Sequence, residues 1–174
     1  MIYDPIYKSA KFSNCRTHRY ELKRTWDTEK PTMVIIGLNP STADEYADDP
    51  TIRRCISFAQ REGCGRLLML NLFSYRATDP KELKALGWHD LTNDCKNTTW
   101  VKTTCKEVFE SGGTIVAAWG THGRLHREGA HMKLLLGDYQ VFCFGHTKDG
   151  HPKHPLYLPK DVALERWCPW RYER

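Results

Sequence analysis

Met33-Val34-Ile35-Ile36-Gly37-Leu38-Asn39-Pro40-Ser41-Thr42-Ala43-Asp44 decides how this chain is read. Four consecutive apolar residues before Gly37 describe a strand covered on both faces, because a half-exposed strand alternates polar and apolar side chains. Asn39-Pro40-Ser41 then forces a turn. Asp48-Asp49-Pro50 opens a helix, with an acidic residue as N-cap and Pro50 suited to the first helical position. In open α/β sheets ligands sit beyond the carboxyl ends of the strands. Asn39 therefore stands where such folds do their chemistry.

On the C-terminal side, Ile52, Cys55, Ile56 and Ala59 recur at helical spacing, predicting a helix from about Pro50 to Arg61 that is ended by Gly63 and Gly65. Arg66 to Phe73 is a second buried strand, interrupted near its end by Asn71. A buried carboxamide must be paired, and either a structural partner or the edge of a nucleobase would do. A long connection, Ser74 to Leu91, carries a short helix at Lys81–Leu86. Asn93 or Asp94 then caps a helix that buries Val101, Cys105, Val108 and Phe109. Thr114–Gly120 and Tyr139–Gly145 are the third and fourth strands, separated by a helix from Thr121 to about Leu136. Four apolar strands joined by helix-length segments imply right-handed crossovers. The fold class expected is α/β, a mostly parallel four-stranded sheet with helices on both faces. Alternation in Arg19–Trp26 adds an N-terminal β flap. The chain reads as a single domain: a β extension over 1–31, an α/β core over 32–165 and a C-terminal tail over 166–174.

The composition of these 174 residues, 40% hydrophobic and 27% charged, is that of a globular domain and excludes disorder. A net charge of +5 admits a polyanionic partner without demanding one. The seven cysteines are odd in number and form no C-x-x-C pair, and no secretory signal precedes them. Buried free thiols in a reducing cytosol follow, and an iron–sulfur cluster is disfavoured. No run approaches the ~18 apolar residues that span a bilayer. A cytoplasmic protein with no membrane contact and no obligate protein partner is expected.

The shared strand edge carries residues suited to three chemistries. His146, His151 and His154 are dense enough to suggest a metal. No carboxylate or thiol stands at a ligand spacing, however, and Lys148 and Lys153 lie between them, so neither metal nor cofactor is expected. Gly37–Ser41 lacks the spaced glycines and the Gly-Lys-Ser/Thr ending of a phosphate loop. Cleavage of an N-glycosidic bond remains. It builds positive charge on the sugar and negative charge on the departing base, and so needs an oxygen holding water and donors facing the base. Asn39 suits the first role, His154 or His151 the second, and Asn71 the pyrimidine edge; Lys148, Lys153, Arg76 and Arg124 suit phosphates.

Segments in this order resemble the uracil-DNA glycosylase superfamily. Gly37-Leu38-Asn39-Pro40-Ser41 is similar to its first catalytic motif, Leu67–Asn71 to the strand that ends in the base-reading Asn, and His154-Pro155-Leu156 to its second motif. Leu86-Gly87-Trp88 and Trp119-Gly120-Thr121-His122 resemble further segments of the uracil-specific branch. The likeness spans about residues 33 to 160 and implies a glycosylase-like fold. It makes Asn39 the water-positioning residue, Asn71 the base reader and His154 the motif histidine, with Leu156 near the wedge that fills the vacated stack. Asn39 replaces the Asp of the efficient uracil enzymes and cannot accept a proton, so Asp44 or Asp48 is a candidate for the missing carboxylate. Ser41, after Pro40, replaces a Tyr that excludes 5-methyl groups, which would admit thymine or a larger 5-substituted pyrimidine.

Over nearly its whole length the chain also resembles an uncharacterised bacterial and phage family marked by Leu38-Asn39-Pro40-Ser41-Thr42-Ala43-Asp44, which implies no activity. The expectation is a DNA glycosylase-like protein that meets single- or double-stranded DNA or a nucleotide. Asn39, His154 and Asp48 are the catalytic candidates, and Asn71, Ser41, Pro40, Leu156, Arg76, His151 and Lys148 the substrate contacts. A non-catalytic binding module on the same scaffold and an enzyme of free nucleosides or nucleotides are the alternatives.

Overall fold

The computed structural model describes residues 7–93 and 95–167. The elements follow in the order β1 (Tyr7–Phe12), β2 (Arg19–Thr25), β3 (Thr32–Gly37), α1 (Pro50–Arg61), β4 (Arg66–Asn71), α2 (Pro80–Lys84), α3 (Trp88–Thr92), α4 (Lys96–Glu110), β5 (Thr114–Ala117), α5 (Glu128–Leu135), β6 (Val141–Cys143) and β7 (Glu165–Arg166). Two 3-10 segments, Thr121–Arg127 and Pro155–Tyr157, lie before α5 and after β6.

The fold is α/β, built on one seven-stranded sheet in the order β1-β2-β4-β3-β5-β6-β7. β3 pairs in parallel with β4 and β5, and β5 with β6, whereas β1–β2, β2–β4 and β6–β7 are antiparallel. The expectation of a mostly parallel four-stranded sheet with a separate flap is therefore corrected to a mixed seven-stranded one. β4 has β3 on one side only; β2 takes its other edge, because an uncovered edge leaves a row of unpaired peptide groups.

β3 is buried along its whole length because the two faces of the sheet are both covered. Val34 and Ile36 point one way, joining Leu68, Leu70, Ile115 and Ala117 beneath Val101, Cys105 and Val108 of α4 and Met132 of α5. Met33 and Ile35 point the other way, joining Leu67, Met69 and Val116 beneath Ile52, Cys55, Ile56, Phe58 and Ala59 of α1. Each Val, Leu, Ile, Met or Phe among them contributes about 1.5–3 kcal/mol. Helix α1 starts at the expected place, with Asp49 as N-cap and its carboxylate accepting from the Ile52 amide at 2.8 Å.

Other boundaries shift for local reasons. Asn93 does not start α4; it adopts the left-handed conformation (φ 51°) and closes α3, a conformation that Asn tolerates better than most residues. The helix expected from Thr121 to Leu136 is divided, because His126 (φ 49°) and Arg127 (φ 59°) are left-handed and break the turn. The six described cysteines are free thiols; Cys15 and Cys95 are exposed, contrary to the expected burial. Asp94, Cys168 and the tail from residue 168 lie outside the described residues. Among the described residues no helix is long and apolar enough to cross a membrane.

Candidate functional site

β3 and β4 lie in register, Gly37 beside Asn71, and their pairing continues past the strand ends through Leu72 N–H to Gly37 O and Phe73 N–H to Leu38 O. Asn97 of α4 pins the same end by donating to the carbonyls of Asn71 and Leu72 at 2.9 and 2.8 Å. The two strand ends open into a cavity of about 600 Å³. Its walls include Asn39, Asn71, Asp49, Arg19, His122 and His154.

Asn71 is 1% exposed, and neither Nδ2 nor Oδ1 has a hydrogen-bond partner among the described residues. Gly37 makes room for it, since a Cβ there would lie 2.9 Å from Asn71 Oδ1 and 2.6 Å from Met69 Cε. Asn39 is the reverse case. Its Nδ2 donates to the carbonyls of Pro40 (2.9 Å) and Ala77 (2.8 Å), which fixes the amide orientation and leaves Oδ1 as an acceptor at the cavity.

His154 is brought to the opposite wall by the Pro155–Tyr157 turn. Its Nδ1 accepts from the Leu156 amide at 3.3 Å, so the neutral ring carries its proton on Nε2. Burial holds its pKa below the ordinary histidine value, partly opposed by the charge of Asp49. Gly120, at φ 71°, lets the chain pass closely: a Cβ would stand 3.4 Å from His154 Cβ. Leu156 and the 87%-exposed Tyr157 form the rim.

Two charged groups at the cavity were not assigned to the site by sequence reasoning. Arg19, 1% exposed, donates through Nη1 to Ala43 O at 2.8 Å, while its Nε is unpartnered among the described residues. Burial pulls its pKa down to about 10, with the Asp49 charge acting in the opposite sense, so it remains a cation at neutral pH. Asp49 gives one oxygen to the α1 cap and keeps the other unengaged among the described residues. Arg19 was hidden because a charged residue in an alternating strand reads as solvated, and Asp49 because capping accounts for it.

Of the residues expected at the site, Asn39, Asn71, Ser41, His154 and Leu156 line the cavity. Pro40 is buried beside it and holds the turn through Ala77 N–H to Pro40 O. Arg76 lies in an adjoining surface hollow with Arg16, a hollow that shares Ser41, Thr42, Ala77 and Thr78 with the cavity. Asp48 is not brought in: its carboxylate pairs with the fully buried Arg24 at 2.7 Å. His151 lines a different hollow with Arg124 and Trp167, and exposed Lys148 lines neither. The loop doubles back through Thr147 N–H to His151 O and Lys153 N–H to Gly145 O, which separates His151 from His154.

No curated protein and no solved structure matches the chain. A family model described as a protein of unknown function, DUF1643, matches residues 19–156, from the first residue of β2 to the rim residue Leu156, and so includes every cavity residue discussed above except the rim residue Tyr157. The chain belongs to the DUF1643 family.

Proposed function

We propose that the protein is a DNA base glycosylase that draws a flipped pyrimidine into this cavity and hydrolyses its N-glycosidic bond. The observation that carries the reading is the Asn71 carboxamide, a donor and an acceptor buried at the cavity wall with no protein partner among the described residues. Leaving such a group unpaired costs about 1–3 kcal/mol, and a pyrimidine edge, with one donor and one acceptor in the same spacing, relieves it.

The remaining roles follow from orientation. Asn39 Oδ1 accepts a hydrogen from the attacking water. Asp49, and not Asp48, is the carboxylate on hand to take up the proton that Asn39 cannot. His154, neutral with hydrogen on Nε2, donates to the oxygen of the departing base, and the buried Arg19 cation stabilises negative charge as it develops there. Ser41 leaves space for a 5-substituent, Leu156 is the wedge, and Arg76 and Arg16 hold backbone phosphates beside the entrance. In this reading the mutually parallel run β4-β3-β5-β6 is the glycosylase-like core, in keeping with the motif resemblance.

The test is a base-release assay on single- and double-stranded oligonucleotides carrying uracil, thymine opposite guanine, or 5-hydroxymethyl and glucosylated pyrimidines, with abasic sites resolved by alkaline cleavage. Release of one base, abolished in Asn39→Ala and Asn71→Ala, is expected. Asp49→Asn retains a helix cap, because Asn caps as well as Asp, and is expected to lose at least about 100-fold in rate with its unfolding midpoint unchanged. A second reading, a base- or nucleotide-binding module without chemistry, is favoured by the carboxamide at position 39. It predicts Asn71-dependent binding with no base released from any substrate.

A further inference from the structure

At the far edge of the sheet, away from the cavity, Cys143 and Glu165 are register partners on β6 and β7. Gly145, at φ 96°, turns the chain sharply after β6 and swings His146 back over them. Cys143 Sγ lies 4.0 Å from His146 Nδ1 and 3.9 Å from Glu165 Oε1, and Nδ1 is 2.7 Å from Oε1. One ligand atom from each residue falls within 4.8 Å of the others. We propose that these three side chains bind a zinc ion, which staples β6 to β7.

The distances suit a metal. Tetrahedral zinc with Zn–S of about 2.3 Å, Zn–N of about 2.0–2.1 Å and Zn–O of about 2.0–2.2 Å sets its ligand atoms about 3.4–3.6 Å apart. The two sides that meet at Sγ lie within about 0.5 Å of that, and the Nδ1–Oε1 side, a hydrogen bond at 2.7 Å, must open by about 0.7 Å. The Glu165 side chain, half exposed, is the one free to make the adjustment. A soft sulfur with an imidazole and a carboxylate selects zinc over magnesium or calcium. The same three residues resemble a nucleophile, base and orienting acid, but Cys143 is fully buried at the core face of β6 and no substrate can reach it. Zinc binding displaces the Cys143 thiol proton to solvent and requires a neutral His146.

This site differs from the histidine cluster considered on sequence grounds, of which it uses only His146. Its place explains what it would do. β7 has two residues and pairs through two register positions, too short to hold an edge unaided. His146 also bridges to Pro152, whose carbonyl accepts from the Gly120 amide, and Gly120 faces His154. A metal at His146 thus fixes the base of the loop that delivers His154 to the cavity.

The full-length protein, freed of any affinity tag and stripped with a chelator, is to be titrated with zinc alone and, separately, with cobalt(II) as an optical probe. One zinc per chain by elemental analysis, a thiolate-to-cobalt charge-transfer band, and a zinc-dependent rise in melting temperature are expected. Glu165→Ala and His146→Ala should lose the stoichiometric zinc and the melting shift; Cys143→Ser should lose the charge-transfer band. Glu165 is half exposed, so its variant folds and keeps the test decisive even if the Cys143 variant does not. Zinc below about a tenth of an equivalent, a cobalt spectrum without the sulfur band, or zinc retained by Glu165→Ala would each overturn the site.

Discussion

At position 37 a methyl group is already too much. The nearest atoms to a Cβ there are the Met69 methyl at 2.6 Å and Asn71 Oδ1 at 2.9 Å, and both are closer than real contacts allow. Gly37→Ala is therefore expected to fold, at a cost of about 1–3 kcal/mol for overpacking, but to push the Asn71 carboxamide out of line. Calorimetry with the released base or the cognate oligonucleotide should show binding reduced at least about tenfold, which corresponds to one weakened hydrogen bond. Unchanged binding would mean that the Asn71 side chain is not read by the ligand. At this scale the sequence was informative where a residue broke a pattern, as Asn71 breaks the apolar run of β4. It was silent where a residue kept one: Arg19 sits with Glu21 and Lys23 on the face of β2 that reads as solvated, yet it is buried, as is Arg24, which shares the opposite face with Tyr20 and Leu22. The identity of their partners, Ala43 O and Asp48, depends on chain more than twenty residues away.

Among the elements, β3, β4 and α1 were legible because each satisfies a local rule: a continuous apolar run for a doubly covered strand, and a helical stripe with Asp and Pro at its start. The rest required tertiary information. Pairing of β2 with β4 is antiparallel and crosses some forty residues, and β7 forms only because β6 offers an edge. The two acids before α1 show how finely this divides the site. Asp49 turns inward to cap the helix at the cavity, while Asp48 turns toward β2 and neutralises Arg24, with Lys8 of β1 at 3.8 Å. Asp48→Asn removes one partner of a buried ion pair, and about 3–5 kcal/mol of stability should go with it, seen as a lower urea midpoint. The folded fraction should keep its full activity per molecule; a selective loss of activity at unchanged stability would return Asp48 to the catalytic role.

For the whole molecule, acid is the informative variable. His18, His151 and His154 all have pKa values lowered chiefly by burial. The unfolded chain, with histidines near about 6.5, then binds more protons than the native one, so stability rises with pH through this window. Equivalently, the contribution is fully present above the unfolded value and is lost as pH falls from there toward the folded values. Urea midpoints measured between about pH 7.5 and 5.5 should fall with acidity, and less steeply in His154→Gln. Below that window Asp27, Asp44 and Glu45, whose carboxylates are held down by hydrogen bonds from backbone or Arg16, add their own losses. A flat midpoint across the histidine window would contradict the buried, neutral assignment of these rings.

The unpaired carboxamide of Asn71 means that the free protein is less stable than its own scaffold permits. A leucine at this position branches at the same atom and has nothing to desolvate, and the cavity that Asn71 lines takes up its larger volume, so Asn71→Leu should melt higher than the parent, by the equivalent of about 1–3 kcal/mol, while losing the ligand. Fitness for folding and fitness for recognition pull in opposite directions at this one site. Random mutagenesis under selection for thermostability alone should therefore discard Asn71, and selection for function should keep it.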